Sequence, residues 1–219
     1  MATVGERRQI VKENHLAARG ARTIFAFDLD GTVTREETLP ILAGELGLSE
    51  EMARLTRLTM DGHIAFSESF RLRFHILKEI PLATIQGIMD TVALDPVIAG
   101  FIRSRAEDCA IVTGNLDLWV EPIIKKLGCR AFTSVSAWDD REGLMLASIL
   151  DKGAAVRTLR EEAGRVIAVG EGANDIPMFE AADIAVSYGG VHRPVEAAIA
   201  ASDYMAKDAE SLCKLLRML

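Results

Sequence analysis

Four short apolar runs, each followed by polar residues, are the feature that most restricts how this chain can fold. They are TIFAFD at 23–28, CAIVT at 109–113, RVIAVG at 165–170 and DIAVS at 183–187. Each run is nearly continuous rather than alternating, as expected of parallel strands that are covered by helices on both faces. Helical patterns separate the runs. The sequence therefore predicts an α/β fold with a doubly wound, Rossmann-like parallel sheet.

One long interval contains no strand pattern. From about Leu39 to Val92 the apolar residues recur only with helical spacing. Asp95 and Pro96 then start a new helix as its N-cap and first residue, leading to the second apolar run. We therefore expect a core formed by residues 1–34 and 94–219, with a small all-α helical-bundle cap at 35–93 inserted after the first strand.

Composition excludes several classes of partner. The 219 residues carry 32 acidic and 25 basic side chains, a net charge of -7, without a basic cluster. This balance argues against nucleic acid and against an anionic membrane surface as partners. The apolar runs are far shorter than the ~20 residues that a membrane span needs, so no membrane is expected. The first 20 residues are charged and lack a signal-peptide pattern; we expect a surface helix there.

Three scattered cysteines, at positions 109, 129 and 213, suggest reduced thiols and a cytoplasmic protein.

Polar residues follow three of the predicted strands. Asp28 and Asp30 come after the first run, Thr113, Gly114 and Asn115 end the second, and GEGAND at 170–175 ends the third. The carboxyl ends of parallel strands lie at one edge of a sheet, so these stretches should meet. A helical pattern begins after each of them, and helix N-termini favour an anion at the same edge.

Four carboxylates belong to this group: Asp28, Asp30, Glu171 and Asp175. Two such charges ~4 Å apart repel by about 4 kcal/mol at an effective dielectric constant near 20, so the cluster needs a cation. Oxygen ligands without histidine or cysteine select Mg²⁺ over zinc. Carboxylates, Mg²⁺ and an anion site together are typical of phosphoryl transfer.

The same residues resemble a known family. The segments similar to the four motifs of the haloacid dehalogenase superfamily of phosphohydrolases are DLDGT at 28–32, IVTGN at 111–115, Lys152 and GEGANDIPM at 170–178. The cap resembles that of phosphoserine phosphatases through REET at 35–38, the helical pattern at 49–62, and Phe66 followed by Arg73. The resemblance covers about residues 23 to 215. The four motifs in order are specific, whereas DxDGT alone is only suggestive.

The resemblance implies a role for each motif residue. Asp28 is expected to be the nucleophile that forms an aspartyl-phosphate, and Asp30 the general acid and then the general base. Mg²⁺ would be held by the Asp28 carboxylate, the Asp30 backbone carbonyl and Glu171, with Asp175 ordering its waters. The groups expected to bind the phosphoryl oxygens are Thr113, the Gly114 amide, Lys152 and Asn174.

Two charged residues of the cap are candidate substrate contacts. Arg73 lies in the middle of an apolar helical stripe made by Phe66, Phe70, Phe74, Leu77 and Ile80. Such a charge either forms a salt bridge within the cap, or extends its stem to water, or binds a substrate carboxylate. Glu37 is either an ordinary exposed glutamate at a helix start or a site for a substrate ammonium. Phe66 and Asn115 complete the predicted substrate contacts.

The predicted function is Mg²⁺-dependent hydrolysis of a small phosphorylated metabolite, most directly of O-phosphoserine, by a monomer or homodimer. Four positions differ from the phosphoserine phosphatase pattern: Gly31 and Thr113 replace serines, Asn115 replaces a glycine and Glu171 an aspartate. Two alternatives therefore stay open. One is the same hydrolysis of another small phosphomonoester, such as a phosphorylated amino alcohol or sugar. The other is a catalytically weak protein that binds a phosphorylated ligand.

Overall fold

A seven-stranded, mostly parallel sheet lies at the centre of the computed structural model, which describes residues 22–219. The strands are β1 (Thr23–Phe27), β2 (Cys109–Leu116), β3 (Arg130–Asp139), β4 (Gly143–Ser148), β5 (Arg165–Gly170), β6 (Ile184–Tyr188) and β7 (Tyr204–Ala206). Their order is β4-β3-β2-β1-β5-β6-β7, and every neighbouring pair is parallel except β3 and β4. The helix expected within the first 20 residues lies outside the described part of the chain.

Ten α-helices accompany the sheet within residues 22–219, and they either cover its two faces or form a separate insert. They are α1 (Thr38–Ala43), α2 (Ser49–Met60), α3 (Phe66–Leu77), α4 (Leu82–Thr91), α5 (Pro96–Ser104), α6 (Asp117–Leu127), α7 (Lys152–Ala163), α8 (Ile176–Ala181), α9 (Glu196–Ala201) and α10 (Ala209–Met218). Alternate residues of β1 enter two separate apolar clusters, with Ile24 in one and Phe25 in the other. The predicted doubly wound α/β fold is confirmed. None of the helices within residues 22–219 has the length and apolar composition that a bilayer crossing requires.

The four apolar runs form β1, β2, β5 and β6, as predicted. Strands β3, β4 and β7 were not predicted from the sequence. Much of the β3–β4 hairpin is partly or fully exposed, and β7 is three residues long, so neither leaves a continuous apolar run. Helix α5 begins as expected, because the Asp95 carboxylate accepts hydrogen bonds from the backbone N–H groups of Val97 and Ile98.

Helices α1 to α4 form the helical insert, residues 35–93, between β1 and α5. The chain enters and leaves it through two adjacent extended segments. Thr34 and Leu94 form an antiparallel bridge there, and the Arg35 N–H donates to the Ala93 carbonyl at 3.0 Å. The insert is therefore closed at its base by backbone hydrogen bonds.

Trp119 of α6 joins the helical insert to the rest of the molecule. Its side chain is fully buried, and its ring stacks on Phe74 of α3 at 5.9 Å between centroids and lies 6.4 Å from Phe70. The apolar stripe of α3 and the helices on that face of the sheet form one continuous cluster. Within residues 22–219 the indole N–H of Trp119 has no hydrogen-bond partner. Packing around Trp119 therefore joins the insert to the core, together with hydrogen bonds such as the one from the Gln86 side-chain amide of α4 to the Leu118 carbonyl of α6 at 3.0 Å.

Two substitutions of Trp119 should separate the contribution of ring packing from that of the unpaired indole N–H. We expect Trp119→Ala to lower the free energy of unfolding by about 3 to 5 kcal/mol, because it leaves a cavity between α3 and α6. Trp119→Phe should cost less than about 2 kcal/mol, since the smaller ring keeps most of the stacking and removes an unpaired donor. Urea denaturation of both variants measures the difference. Equal losses would show that the indole N–H has a partner that matters.

Candidate active site

The ends of β1, β2 and β5 and the inner face of the helical insert enclose one cleft of about 490 Å³, its mouth included. Ten of the predicted site residues line it: Asp28, Asp30, Glu37, Phe66, Arg73, Thr113, Gly114, Asn115, Glu171 and Asn174. The other two, Lys152 and Asp175, are hydrogen-bonded to each other, and Lys152 also to Asp28. The structure thus brings all twelve together.

The loop after β1 separates the two aspartates of the first motif. Asp28 still belongs to the sheet edge, because its N–H donates to the Val169 carbonyl at 2.9 Å. The Leu29 carbonyl then accepts from the N–H groups of the following turn, and Gly31 has a positive φ of 72°. A side chain is disfavoured at that angle, so glycine suits this turn. The two aspartates have different partners, since Asp28 accepts from Lys152 and Asp30 accepts from Thr38.

Three buried carboxylates form the most strongly charged part of the site. Oxygen atoms of Asp28, Glu171 and Asp175 lie within 4.8 Å of one another. Burial, and then the neighbouring carboxylates, raise the pKa of both Asp28 and Glu171 well above the usual range. These groups resist ionising together unless a positive charge joins them. A set of hard oxygen donors around one point fits a divalent cation such as Mg²⁺.

Lys152 is the cation that the described residues supply to this cluster. Its Nζ donates to Asp28 Oδ1 at 2.5 Å and to Asp175 Oδ1 at 2.6 Å. Burial alone would lower the pKa of Lys152, but the charges of Asp175 and Asp28 outweigh it and raise that pKa. One ammonium cannot balance three carboxylates. The donor set therefore leaves negative charge for a further cation to neutralise.

Asp175 also fixes the loop that carries Glu171. Its second oxygen, Oδ2, accepts from the backbone N–H groups of Glu171 and Gly172, both at 2.9 Å. The carboxylate lies so close to the strand end that a Cβ on Gly170 would be 2.5 Å from Oδ2. Asn174, in the same loop, approaches Gly172 in a similar way. The glycines of the GEGAND motif thus let these side chains fold back onto the backbone.

Glu171 and Gly31 are matched in size. One oxygen of Glu171 accepts a hydrogen bond from the Thr32 hydroxyl. The other, Oε1, lies 2.5 Å from the point that a Cβ on Gly31 would occupy. Both residues differ from the phosphoserine phosphatase pattern, and the absent side chain at Gly31 makes room for the longer carboxylate.

Asp30 faces the first helix of the insert rather than the carboxylate cluster. Its Oδ1 accepts from the backbone N–H of Thr38 at 3.0 Å and also from the Thr38 hydroxyl. The side-chain amide nitrogen of Asn115 lies 3.4 Å from Asp30 Oδ2 and 2.8 Å from Thr38 Oγ1. Asn115 thus lines the cleft, as expected of a substrate contact, but its amide N–H groups already bond within the protein.

Arg73 is a buried cation at the end of the cleft formed by the insert. Its side chain donates to the Thr56 and Thr59 hydroxyls and to the Ser69 carbonyl, each at 3.4 Å, and 4% of the residue is exposed. Among residues 22–219 no carboxylate lies within salt-bridge distance of it, so the salt bridge considered from the sequence is not formed there. Burial lowers the pKa of Arg73 to about 10, which leaves it charged at neutral pH.

Glu37 lies near this arginine, and its side chain is 19% exposed. Burial raises the pKa of the Glu37 carboxyl. Its Oε1 has no hydrogen-bond partner among the described residues, although His192 Nε2 lies 3.4 Å away without the alignment of a hydrogen bond. Glu37 is therefore not an ordinary exposed glutamate. His192 was not predicted, because no motif surrounds it and only the folding of the loop after β6 brings it here.

Phe66 closes the insert against the second motif. A Cβ on Gly114 would lie 2.0 Å from Phe66 Cζ, so the ring rests on the glycine itself. The ring also stacks on Phe70 at 5.5 Å between centroids. Next to it, the Thr113 hydroxyl accepts from the Asn115 backbone N–H at 3.1 Å. The cleft is thus covered by the insert directly above the strand end.

This chain is similar to known proteins in sequence and in fold. The phosphoserine phosphatase of Methanocaldococcus jannaschii is 31% identical over 183 residues, which are 76% of this chain and 85% of that protein. Phosphoserine phosphatase SerB2 of Mycobacterium tuberculosis is 25% identical over 84% of this chain, which spans about half of that longer protein (48%). A solved phospho-aspartyl intermediate analogue of phosphoserine phosphatase has a TM-score of 0.76 and 25% identity, covering 91% of this chain and 99% of its own.

The family model that matches the sequence is that of the haloacid dehalogenase-like hydrolases, over residues 25–180. This segment begins within β1 and includes the helical insert and all four motifs. With the matching fold and converging strand ends, the chain belongs to the haloacid dehalogenase-like hydrolases.

Proposed function

We propose that this protein hydrolyses small phosphomonoesters through an aspartyl-phosphate, and that O-phosphoserine is its preferred substrate. The observation that carries the proposal is the pairing, in one cleft, of the Asp28 cluster with a buried Arg73 that has no carboxylate partner among the described residues. A buried charge without a partner is costly, so a ligand carboxylate would stabilise it. The similarity to phosphoserine phosphatases supports the same assignment.

In the proposed reaction, the Asp28 carboxylate attacks phosphorus and the bond to the ester oxygen breaks. Asp30 gives that oxygen a proton, so the alcohol leaves as a neutral molecule. Asp30 then takes a proton from a water molecule, which attacks the aspartyl-phosphate and releases inorganic phosphate. The groups that would hold the phosphoryl oxygens are Thr113, the Gly114 amide, Lys152 and Asn174.

We propose Mg²⁺ as the cation of this site. The Asp28 carboxylate, the Asp30 backbone carbonyl and Glu171 would hold it, and Asp175 would order its waters. When bound, the ion offsets the negative charge of the nucleophile and the phosphoryl group. The buried oxygen donors and the raised pKa values of Asp28 and Glu171 support this assignment.

We propose that residues 35–93 act as a cap that reads the rest of the substrate above a core made of the remaining chain. Arg73 would bind the carboxylate of phosphoserine, Glu37 its ammonium, and Phe66 would cover the site. A phosphorylated amino alcohol is the second candidate, because Glu37 alone would suffice to bind its ammonium. The three buried, free cysteines are consistent with the predicted cytoplasmic location. Whether the chain is a monomer or a homodimer stays a prediction.

The nucleophile provides the first test of this function. Wild-type protein should release phosphate from O-phosphoserine with Mg²⁺ and lose that activity with a chelator, whereas Asp28→Asn should show no turnover. Asp140→Asn, at an exposed carboxylate of the β3–β4 turn, is the matched control and should stay active. Inorganic phosphate assays on a panel of phosphomonoesters make the measurement. Near wild-type turnover by a folded Asp28→Asn variant would rule out the covalent route.

Arg73 provides the test of substrate identity. A charge-assisted hydrogen bond contributes about 1.5 to 3 kcal/mol, so Arg73→Ala should lower kcat/KM for phosphoserine by about ten- to a hundredfold. Phosphoethanolamine, which lacks the carboxylate, should be affected much less. Arg71→Ala, an exposed position of the same helix, controls for loss of charge. If both substrates lose equally, Arg73 supports the insert rather than binding the ligand.

The match between Gly31 and Glu171 predicts a rescue. Gly31→Ala should weaken Mg²⁺ binding about tenfold or more, because the added Cβ displaces Glu171 Oε1. Glu171→Asp in the same chain should recover most of that affinity, since the shorter side chain avoids the contact. Isothermal titration calorimetry with Mg²⁺ alone measures it. The strain of alanine at a positive φ, about 1 kcal/mol, should lower stability in both variants. If the Mg²⁺ affinity does not recover, the size match between Gly31 and Glu171 does not determine Mg²⁺ binding.

A further inference from the structure

We infer that Asn115 is a positioning residue for Asp30, and that it acts through and together with Thr38. The inference rests on the proposed function, because it concerns how the general acid of that reaction is held. Asn115 occupies a position where the phosphoserine phosphatase pattern has a glycine, which has no side chain to offer. The support that it gives Asp30 therefore belongs to this chain's own site.

The direction of the hydrogen bonds follows from the number of protons available. The Asn115 amide donates to Thr38 Oγ1 at 2.8 Å, so the single hydroxyl proton of Thr38 is free to go to Asp30 Oδ1. The Thr38 backbone N–H donates to the same oxygen at 3.0 Å. A further contact of 3.4 Å joins the Asn115 amide nitrogen to Asp30 Oδ2. Both oxygens of the carboxylate thus face donors.

The orientation of the Asn115 amide is set by its other end. Its Oδ1 accepts from the Leu116 backbone N–H at 2.9 Å. Turning the amide over would lose that bond and place an oxygen against Asp30 Oδ2. Asn115 is 3% exposed and Thr38 is fully buried, so little water competes for these groups. A buried network in which each donor has an acceptor is stiff.

This network ties together three elements that are distant in the sequence. Asp30 lies on the loop after β1, Thr38 begins α1 of the insert, and Asn115 lies near the end of β2. A general acid must lie within hydrogen-bond reach of the leaving oxygen, and small displacements cost large factors in rate. Asn115 links the carboxylate to the sheet in two ways, directly by the 3.4 Å contact and through Thr38 of the insert.

The test compares two phosphorylated compounds of similar size, an ester and an acyl phosphate, whose leaving groups differ in their need for a proton. Ethyl phosphate loses an alkoxide, which must receive the proton of Asp30, whereas acetyl phosphate loses acetate, which needs none. We expect Asn115→Ala to lower kcat/KM for ethyl phosphate about ten- to a hundredfold and for acetyl phosphate less than about threefold. Only steps up to formation of the aspartyl-phosphate affect kcat/KM, so the later hydrolysis of the aspartyl-phosphate does not affect the comparison.

Three further variants separate positioning from a structural role. Asn115→Asp keeps the acceptor for Leu116 but cannot donate to Thr38 or Asp30, and should show the same selective loss. Thr38→Val removes the hydroxyl, keeps the shape of the side chain and should show the same selective loss. Thr38→Ser keeps the hydroxyl, so its kcat/KM for ethyl phosphate should stay near the wild-type value. The double variant Asn115→Ala/Thr38→Val should lose less than the product of the single losses, because both act on one carboxylate. Thermal denaturation checks that each variant is folded.

Equal losses on ethyl and acetyl phosphate, or a fully active Asn115→Asp variant, would overturn the inference and leave the proposed function intact. A wild-type protein that releases phosphate from neither of these two compounds, nor from phosphoserine, with Mg²⁺ present would overturn the proposed function and this inference with it.

Discussion

Three like charges held together in the interior are the constraint on which the rest of this structure depends. Asp28, Glu171 and Asp175 come from two strand ends and one following loop, and their oxygens meet within 4.8 Å. Left alone, such a cluster would repel itself or take up protons, as the raised pKa values of Asp28 and Glu171 indicate. Lys152, the backbone N–H groups around Asp175 and the Thr32 hydroxyl oppose that tendency. The parallel sheet supplies the rigid frame that keeps them in place.

The helical insert adds a second kind of charge to the same cleft. Arg73 and Glu37 are largely buried, yet among the described residues neither forms a salt bridge with the other. Phe66, Phe70 and Trp119 help to hold the insert in place, and its packing keeps both side chains largely buried. In the proposed reaction, the core end of the cleft would hold the phosphoryl group with a cation, and the insert end would hold a carboxylate and an ammonium. The groups proposed for catalysis and those proposed for substrate recognition thus lie on different parts of the fold.

Much of the fold could be predicted because its signal is local. Strands covered on both faces leave continuous apolar runs, and β1, β2, β5 and β6 were found in this way. The β3–β4 hairpin and β7 have no such run, because part of each is exposed to solvent. The site residues that follow strand ends were predictable for a related reason: polar residues at the ends of parallel strands must meet at one edge. Cap contacts such as Phe66 were predicted from the family resemblance. His192 was missed, since it follows β6 in a loop without any motif.

The sequence by itself determined which chemical groups reach the active edge and in what order along the chain, because strand periodicity and motif spacing are properties of neighbouring residues. Only the tertiary structure decided which group faces which. It placed Asn115 against Asp30, 85 positions away, gave Glu171 the space that Gly31 leaves, and left Arg73 without a carboxylate among the described residues. These pairings depend on the angles and distances at which whole helices and strands pack, and no local pattern encodes those.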